Sequence, residues 1–307
     1  MVSFPGMKKT FKADQAAGLQ EFLLAALPEI KKTKVKQFLK YRCVSVNDCV
    51  TTRFDHPIKP GDEVRIETSK ERALTPAAQF NLEIVYEDEE IIVINKPAGL
   101  LTIATEKIQR ETAIFAVNDY LNKKAAARYR RRAEYRKRVF VVHRLDRDVS
   151  GLVLFAKNEA AKFKLQENWE GFLKEYDAVV EGRPEKESGR MTSWLTENKF
   201  LKVFSGPKTA ESKMAVTHYE VVKPGKEFSL LKVRLETGRK HQIRVQLSDL
   251  GHPVAGDKTY GARSALHGRV ALHASRLEFN HPTTGKRLTL TSGLPPELKR
   301  LLKNYLE

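Results

Sequence analysis

The chain has 307 residues, enough for two domains or for one large domain with an appendage. Hydrophobic residues make up 41% of it, which excludes a wholly disordered chain, and no apolar run approaches the roughly 18–20 residues of a membrane span. Lys and Arg total 55 against 38 Asp and Glu, a net charge of +17 that points to a polyanionic partner, nucleic acid first. A soluble enzyme from an organism with a basic proteome is the alternative on charge alone.

The opening MVSFPGMKKT lacks the apolar stretch of a secretory signal. Two cysteines, Cys43 and Cys49, are too few for a disulfide framework or a four-ligand zinc site, so both are expected as free thiols in a reducing cytoplasm.

A small α/β unit is expected over residues 11–70. Leu19, Phe22, Leu23, Ala26 and Leu27 make one apolar helix face, which Pro28 ends. Thr33 is placed to cap a second helix, with Val35, Phe38 and Leu39 inward and Lys34, Lys36 and Lys40 outward. Val44 and Val46 alternate as a strand into the Asn47-Asp48 turn, and Lys59-Pro60-Gly61-Asp62 turns into a short strand through Val64 and Ile66.

Two short helices, basic on their outer side, followed by a small hairpin unit resemble the alpha-L RNA-binding motif of a small-subunit ribosomal protein and bacterial tyrosyl-tRNA synthetases. VSVNDCV…IKPGDEVRI follows that pattern, with Asp48 where glycine is common. The resemblance implies that Lys34, Lys36 and Lys40 meet an RNA backbone.

Residues 71–80, ERALTPAAQF, read as a linker to a second domain over 81–307. That domain opens with a hairpin, LEIVYEDEEIIVINKP, around Asp88-Glu89. A helix is expected over 160–170, strands at YDAVV, VTHYEVV, SLLKVRLE, RVALHASRLEF and KRLTL, and an amphipathic helix at HQIRVQLSDL, closed by Gly251. The order indicates α+β architecture with a mixed, largely antiparallel sheet. An Arg-rich insertion over 123–138 holds nine basic residues against one acidic. Lys124, Arg128, Arg131, Arg132 and Tyr135 share one helical face there, a stripe suited to phosphates, or else a solvated loop.

Several chemistries are excluded by pattern. GHPVAGDKT, from Gly251, is a near miss for a phosphate-binding loop, but Asp257 would repel phosphate and the segment follows a helix. No GxGxxG opens a βαβ unit, no histidines show HExxH spacing, and no G-x-S-x-G elbow is present. What remains is VVHRLDRDVSGLVLFAKN, 141–158, a charged knot between apolar runs, and a second knot, ETGRKHQIRVQL, 236–247. Arg244 of the second is positioned to reach a carboxylate of the first and keep it ionised. On composition alone the first knot reads equally as a structural salt-bridge cluster.

These blocks resemble the RluA-type pseudouridine synthases. HRLDRDVSG matches the block that carries their catalytic aspartate, here Asp146, and KEYDAVVEG matches the strand that carries their tyrosine, here Tyr176. TGRKHQIR matches the block whose last arginine, here Arg244, pairs with the aspartate. NKPAGL, GHPVAGDKTYG and LHASRLEFNHPTTG follow in family order. Two departures stand out: Val149 where Thr is usual, and LTIATE after NKPAGL in place of a Val-His-Pro-like ending.

The resemblance implies an RNA uridine isomerase with the pseudouridine synthase fold. A uridine is flipped out of its stack, its glycosidic bond is cut, and uracil is rejoined through carbon 5. Asp146 would act on the ribose, by attacking the anomeric carbon or by removing a neighbouring proton. Tyr176 would face the uracil, and Arg144, His143, Arg239 and His241 would contact substrate. Arg128, Arg131 and Arg132 join the alpha-L lysines as backbone contacts. No metal or cofactor, membrane or obligatory protein partner is called for. The alpha-L unit and the charge lean towards large-subunit ribosomal RNA over transfer RNA, and a non-catalytic RNA-binding or ribosome-assembly protein is the competing class.

Overall fold

The computed structural model describes residues 7–40, 43–47, 49–68, 82–106, 108, 111–128, 138–266 and 269–303, with backbone alone at 40, 49, 50, 127, 128 and 303. The chain divides into two units, Met1–Asn81 and Leu82–Glu307, and the expected linker 71–80 lies outside the described residues.

In the first unit, strands β1 (Lys8–Lys12) and β2 (Ala17–Gly18) precede helices α1 (Leu19–Ala26) and α2 (Lys32–Lys40). Strands β3 (Val44–Val46), β4 (Cys49–Val50), β5 (Pro57–Ile58) and β6 (Glu63–Glu67) follow. The apolar faces read from the sequence form the core, with Leu19, Leu23, Val35 and Val64 each 0% exposed. Thr33 does not cap α2: the Val35 amide already bonds the Lys31 carbonyl, so the first turn begins ahead of Thr33. Lys36 is exposed, whereas Lys34 flanks the apolar face, one turn before Phe38, and is half-buried. Strand β1, KKTFK, carries no alternating apolar pattern. It forms by pairing with β6 in a register that sets Lys8 opposite Glu67 and Lys12 opposite Glu63.

The second unit begins with strands β7 (Glu83–Glu87) and β8 (Ile91–Lys96), helix α3 (Ala113–Arg128), strands β9 (Phe140–Val141) and β10 (Ser150–Ala156), and helix α4 (Glu159–Glu167). Strands β11 (Leu173–Glu181), β12 (Ser188–Glu197), β13 (Val203–Gly206), β14 (Lys213–Lys223) and β15 (Phe228–Leu235) come next. Helix α5 (Gln242–Asp249), strands β16 (Leu272–Asn280) and β17 (Arg287–Thr291), and helix α6 (Pro296–Lys303) complete it. The fold is α+β, as expected.

All these strands join one 11-stranded sheet in the order β13-β12-β14-β15-β11-β16-β10-β8-β7, with β17 on β16 and β9 on β10. Every pairing is antiparallel except that of β10 with β16. Strand β10, SGLVLFA, is buried at every residue, the pattern of a strand covered on both faces. Its Gly151 has φ +117°, and a Cβ there would lie 2.3 Å from the Ala274 carbonyl oxygen, so only glycine lets β10 and β16 meet. Glu87, at the end of β7, accepts from Tyr120 and Lys124 on α3 and from Lys157 after β10. Lys124 is thereby engaged within the fold. Arg131, Arg132 and Tyr135 of the expected basic stripe lie outside the described residues, as does the Arg128 side chain.

Candidate active site

Asp146 lies on the loop between β9 and β10, and the NKPAGLLT segment, which begins at the end of β8, straps that loop. Lys96 is fully buried and donates to the carbonyls of Pro97, Leu100 and Arg147 at 2.9, 2.8 and 3.2 Å. Burial pulls its pKa down to about 7 against the charges of Asp146 and Asp148, yet three carbonyls need three N–H donors, which only the ammonium supplies. The Thr102 hydroxyl donates to the Leu145 carbonyl at 2.7 Å and accepts from the Leu145 amide at 3.1 Å. Gly99 and Arg147 exchange two further bonds, 2.8 Å from the Gly99 amide and 3.2 Å from Arg147 Nε. Val149 is buried, a setting that suits a methyl group at least as well as a hydroxyl.

Arg244 arrives from α5. The expectation of an amphipathic helix fails here, because Gln242 through Leu247 are all buried. The two glutamines make that burial affordable. Gln242 Nε2 donates to the Val216 carbonyl and the Thr217 hydroxyl, and its Oε1 accepts from the Arg239 amide and the Thr237 hydroxyl. Gln246 Nε2 bonds the Ser193 hydroxyl and the Ala215 carbonyl, while its Oε1 accepts from the Thr217 hydroxyl. Helix α5 is thus sewn to β12 and β14, and Arg244 has a fixed origin.

Its guanidinium divides between two carboxylates. Nη1 donates to Asp146 Oδ2 at 2.9 Å, while Nε and Nη2 fork onto Asp257 Oδ2 and Oδ1 at 2.6 and 2.9 Å. Asp257 is 1% exposed. Burial works against the Arg244 charge, but the hydrogen bonds and charge of Asp257, with Asp146 behind them, raise its pKa above the ordinary guanidinium value.

His241, at the N-cap of α5, has φ 54°, a left-handed conformation unusual for a bulky side chain. Its Nδ1 lies 2.7 Å from the Tyr260 hydroxyl and its Nε2 3.6 Å from Asp146 Oδ2. The Tyr260 oxygen also accepts from the Val203 amide, and a hydroxyl proton given to His241 Nδ1 places the imidazole proton on Nε2, on the Asp146 side. Burial lowers the His241 pKa despite the charge of Asp146, in keeping with this neutral tautomer.

Tyr176, on β11, stands opposite Val233 of β15 and Ala274 of β16. Burial, then the charge of Asp146, pushes its hydroxyl pKa above the ordinary phenol value, so the phenol is neutral at physiological pH. Asp146, Arg244, His241 and Tyr176 therefore share one electrostatic site. Of the other expected residues, Arg144 and Arg239 are exposed, the latter donating from Nε to the Met214 carbonyl. His143 is bound into the fold, its ring stacked on Trp169 at 4.7 Å and its Nε2 accepting from the Leu154 amide.

The sequence reading missed Asp257, Tyr260, Lys96 and Thr102. Asp257 and Tyr260 were visible in GHPVAGDKTYG, where the Asp registered only as a defect in a phosphate loop. Among the described residues, no group of three or more His, Cys, Asp or Glu side chains is placed to hold a metal ion.

A family model described as RNA pseudouridylate synthase matches residues 90–249, a span that contains Asp146, Tyr176 and Arg244. The chain belongs to that family. Two uncharacterized RNA pseudouridine synthases of Bacillus subtilis are similar to it: one is 31% identical over 93% of both chains, the other 35% identical over 81% of this chain and 80% of its own. The ribosomal large subunit pseudouridine synthase D of Haemophilus influenzae is 31% identical over 94% of this chain and 92% of its own. Among solved structures, human RNA pseudouridylate synthase domain containing 4 superposes with a TM-score of 0.59 at 24% identity, covering 74% of this chain and 94% of that one, which shows the shared fold. The chain is an RNA pseudouridine synthase, an isomerase whose substrate is RNA. Among the described residues, no helix is long and apolar enough to cross a membrane.

Proposed function

We propose that this pseudouridine synthase modifies uridines of large-subunit ribosomal RNA, with Asp146 as the group that acts on the ribose. The observation that carries the site reading is the 2.9 Å bond from Arg244 to Asp146, residues 98 apart in the chain. The similarity to the Haemophilus large-subunit enzyme, the net charge of +17 and the exposed lysines of α2 favour ribosomal RNA as substrate.

The chemistry follows from the groups present. The target base leaves its stack, and the exposed Arg144, beside the aspartate, fills the space and stacks on neighbouring bases. Asp146, held by the bond from Arg244, attacks the anomeric carbon or removes a neighbouring proton, and the bond from uracil N1 to the ribose breaks. Uracil turns against the ring of Tyr176, carbon 5 bonds the anomeric carbon as the ester to Asp146 breaks or as Asp146 returns the proton it removed, and the carbon 5 proton leaves while N1 takes one up from solvent. His241, 3.6 Å from Asp146, borders the same site, and the exposed Arg239 stands two residues before it in the chain.

A hairpin beside the site completes the RNA path. The turn between β12 and β13 leaves Phe200 77% and Leu201 67% exposed, with the Lys199 ammonium 5.2 Å over the Phe200 ring. Lys240, next to His241, holds that turn by bonding the Leu201 carbonyl at 3.0 Å. Exposed aromatic and cationic groups in one turn suit base stacking with phosphate contact.

The test is tritium release from carbon 5 of labelled uridine, in unmodified large-subunit ribosomal RNA and in bulk transfer RNA, with wild type and Asp146→Asn. Release from ribosomal RNA that the variant abolishes is the expected result. Release from transfer RNA alone would overturn the substrate, and an active Asp146→Asn would overturn the site.

A further inference from the structure

We infer that Asp257 is a positioning residue for the catalytic pair: it holds the Arg244 guanidinium so that Asp146 receives one N–H and keeps its second oxygen free for the ribose. The inference rests on Asp146 being the catalytic carboxylate. An arginine facing a single carboxylate favours the planar two-bond fork, because two parallel N–H···O bonds match both geometries. In this site the fork is spent on Asp257, through Nε and Nη2 at 2.6 and 2.9 Å. Asp146 is met by Nη1 alone, at Oδ2. His241 also approaches Oδ2, so among the described residues the side-chain contacts of Asp146 all fall on one oxygen.

The surroundings of Asp257 are those of a fixed anchor. Its amide bonds the Val254 carbonyl, and its own carbonyl accepts from Tyr260 and Ala262 at 3.1 and 3.0 Å. A buried carboxylate that served stability alone has a cheaper apolar replacement, since desolvating two charges offsets most of their attraction. What an apolar side chain cannot do is turn the guanidinium. Without Asp257, Arg244 would be free to rotate its fork onto Asp146 and occupy both oxygens, tying up the group that must react.

Asp257→Asn tests this with little change of shape. Its amide NH2 faces a guanidinium N–H, donor against donor, so the two-bond fork cannot form. The assay is single-turnover tritium release from an unmodified large-subunit ribosomal RNA transcript labelled at uracil carbon 5, with affinity measured by filter binding. The expected result is a rate constant down about 10- to 100-fold with RNA affinity within about 3-fold, since misplacement at the reacting centre costs rate rather than binding. In an Arg244→Lys background, which has no fork to hold, adding Asp257→Asn should change the rate by less than about 3-fold.

A wild-type rate in Asp257→Asn overturns the inference, as does an equal rate loss in both backgrounds. If Asp257→Asn alone does not fold, Arg244→Lys against Arg244→Lys/Asp257→Asn decides: near-equal rates sustain the inference and a drop of about tenfold or more overturns it. Asp146→Asn runs alongside. Turnover in that variant would remove the underlying site reading, whereas its inactivity beside a fully active Asp257→Asn would remove the positioning role alone.

Discussion

The Thr102 hydroxyl and the Leu145 peptide exchange two hydrogen bonds, 2.7 Å to the carbonyl and 3.1 Å from the amide, one residue before Asp146. A side chain thus does for this loop what a neighbouring strand does for a β-residue, satisfying a buried donor and acceptor at once. The carboxylate inherits its position from that pairing and from the three carbonyls gathered by Lys96.

Thr102→Val keeps the shape of the side chain and removes both bonds. Leaving the buried Leu145 peptide unpaired should cost about 1–3 kcal/mol of stability. Activity should fall further than RNA affinity, because the loop displaced is the one carrying Asp146. Denaturant unfolding and single-turnover tritium release measure the two. A loss of affinity as large as the loss of rate would show that the loop serves binding instead.

Tyr176→Phe isolates the hydroxyl from the ring. Burial and the charge of Asp146 keep this phenol neutral, so in the proposed mechanism its ring faces uracil and its hydroxyl acts as a neutral hydrogen-bonding group. The variant should bind RNA normally and slow the late loss of the carbon 5 proton by roughly 10-fold, about the worth of one hydrogen bond. An accumulating intermediate in quenched samples is the signature. The wild-type pH–rate profile should show no limb from phenolate formation between neutral pH and the ordinary phenol value.

The parts of this site legible in the sequence were those carried by contiguous blocks. HRLDRDVSG, KEYDAVVEG and TGRKHQIR located Asp146, Tyr176 and Arg244, and Arg244 does meet Asp146. What was not legible depended on burial. Gln242 and Gln246 read as the polar face of an amphipathic helix, yet both are buried, because each finds donors and acceptors on β12 or β14 that no local pattern announces. Asp257 read as a flaw in a phosphate loop because its partner lies 13 residues away on α5. Strand β1 escaped notice since KKTFK has no apolar alternation, and it pairs with Lys8 opposite Glu67 and Lys12 opposite Glu63 on β6.

Phe200→Ala examines the hairpin between β12 and β13. The ring is 77% exposed, so its removal should leave folding untouched, and unfolding curves should superpose on wild type. Stacking of one base on an aromatic side chain contributes about 1–3 kcal/mol, so affinity for unmodified RNA should drop roughly 5- to 150-fold. Unchanged affinity would remove this turn from the RNA path. Lys202→Ala in the same turn should flatten the salt dependence of binding by about 0.7 in log–log slope if it meets one phosphate of a single strand.

Acid should destabilise the second unit in two stages, each with a named origin. His143 and His273 are held neutral by burial, their pKa values lowered from 6.5 to about 3 and about 4. The unfolded chain therefore takes up protons first as pH falls below 6.5, and the stability that depends on neutral imidazoles drains away towards pH 4 and then 3. Burial tends to raise the Glu87 pKa, but its bonds from Lys124, Lys157 and Tyr120 win and lower it from 4.5 to about 2. Its contribution is whole above pH 4.5 and vanishes as pH falls through about 2. Urea midpoints measured from pH 6.5 down to pH 3 should fall across the series. Glu87→Gln should lower the neutral-pH stability by at most about 3 kcal/mol and flatten only the stage below pH 4.5, leaving the histidine stage in place. A variant curve parallel to wild type throughout would show that Glu87 and its two lysines contribute nothing to the acid response.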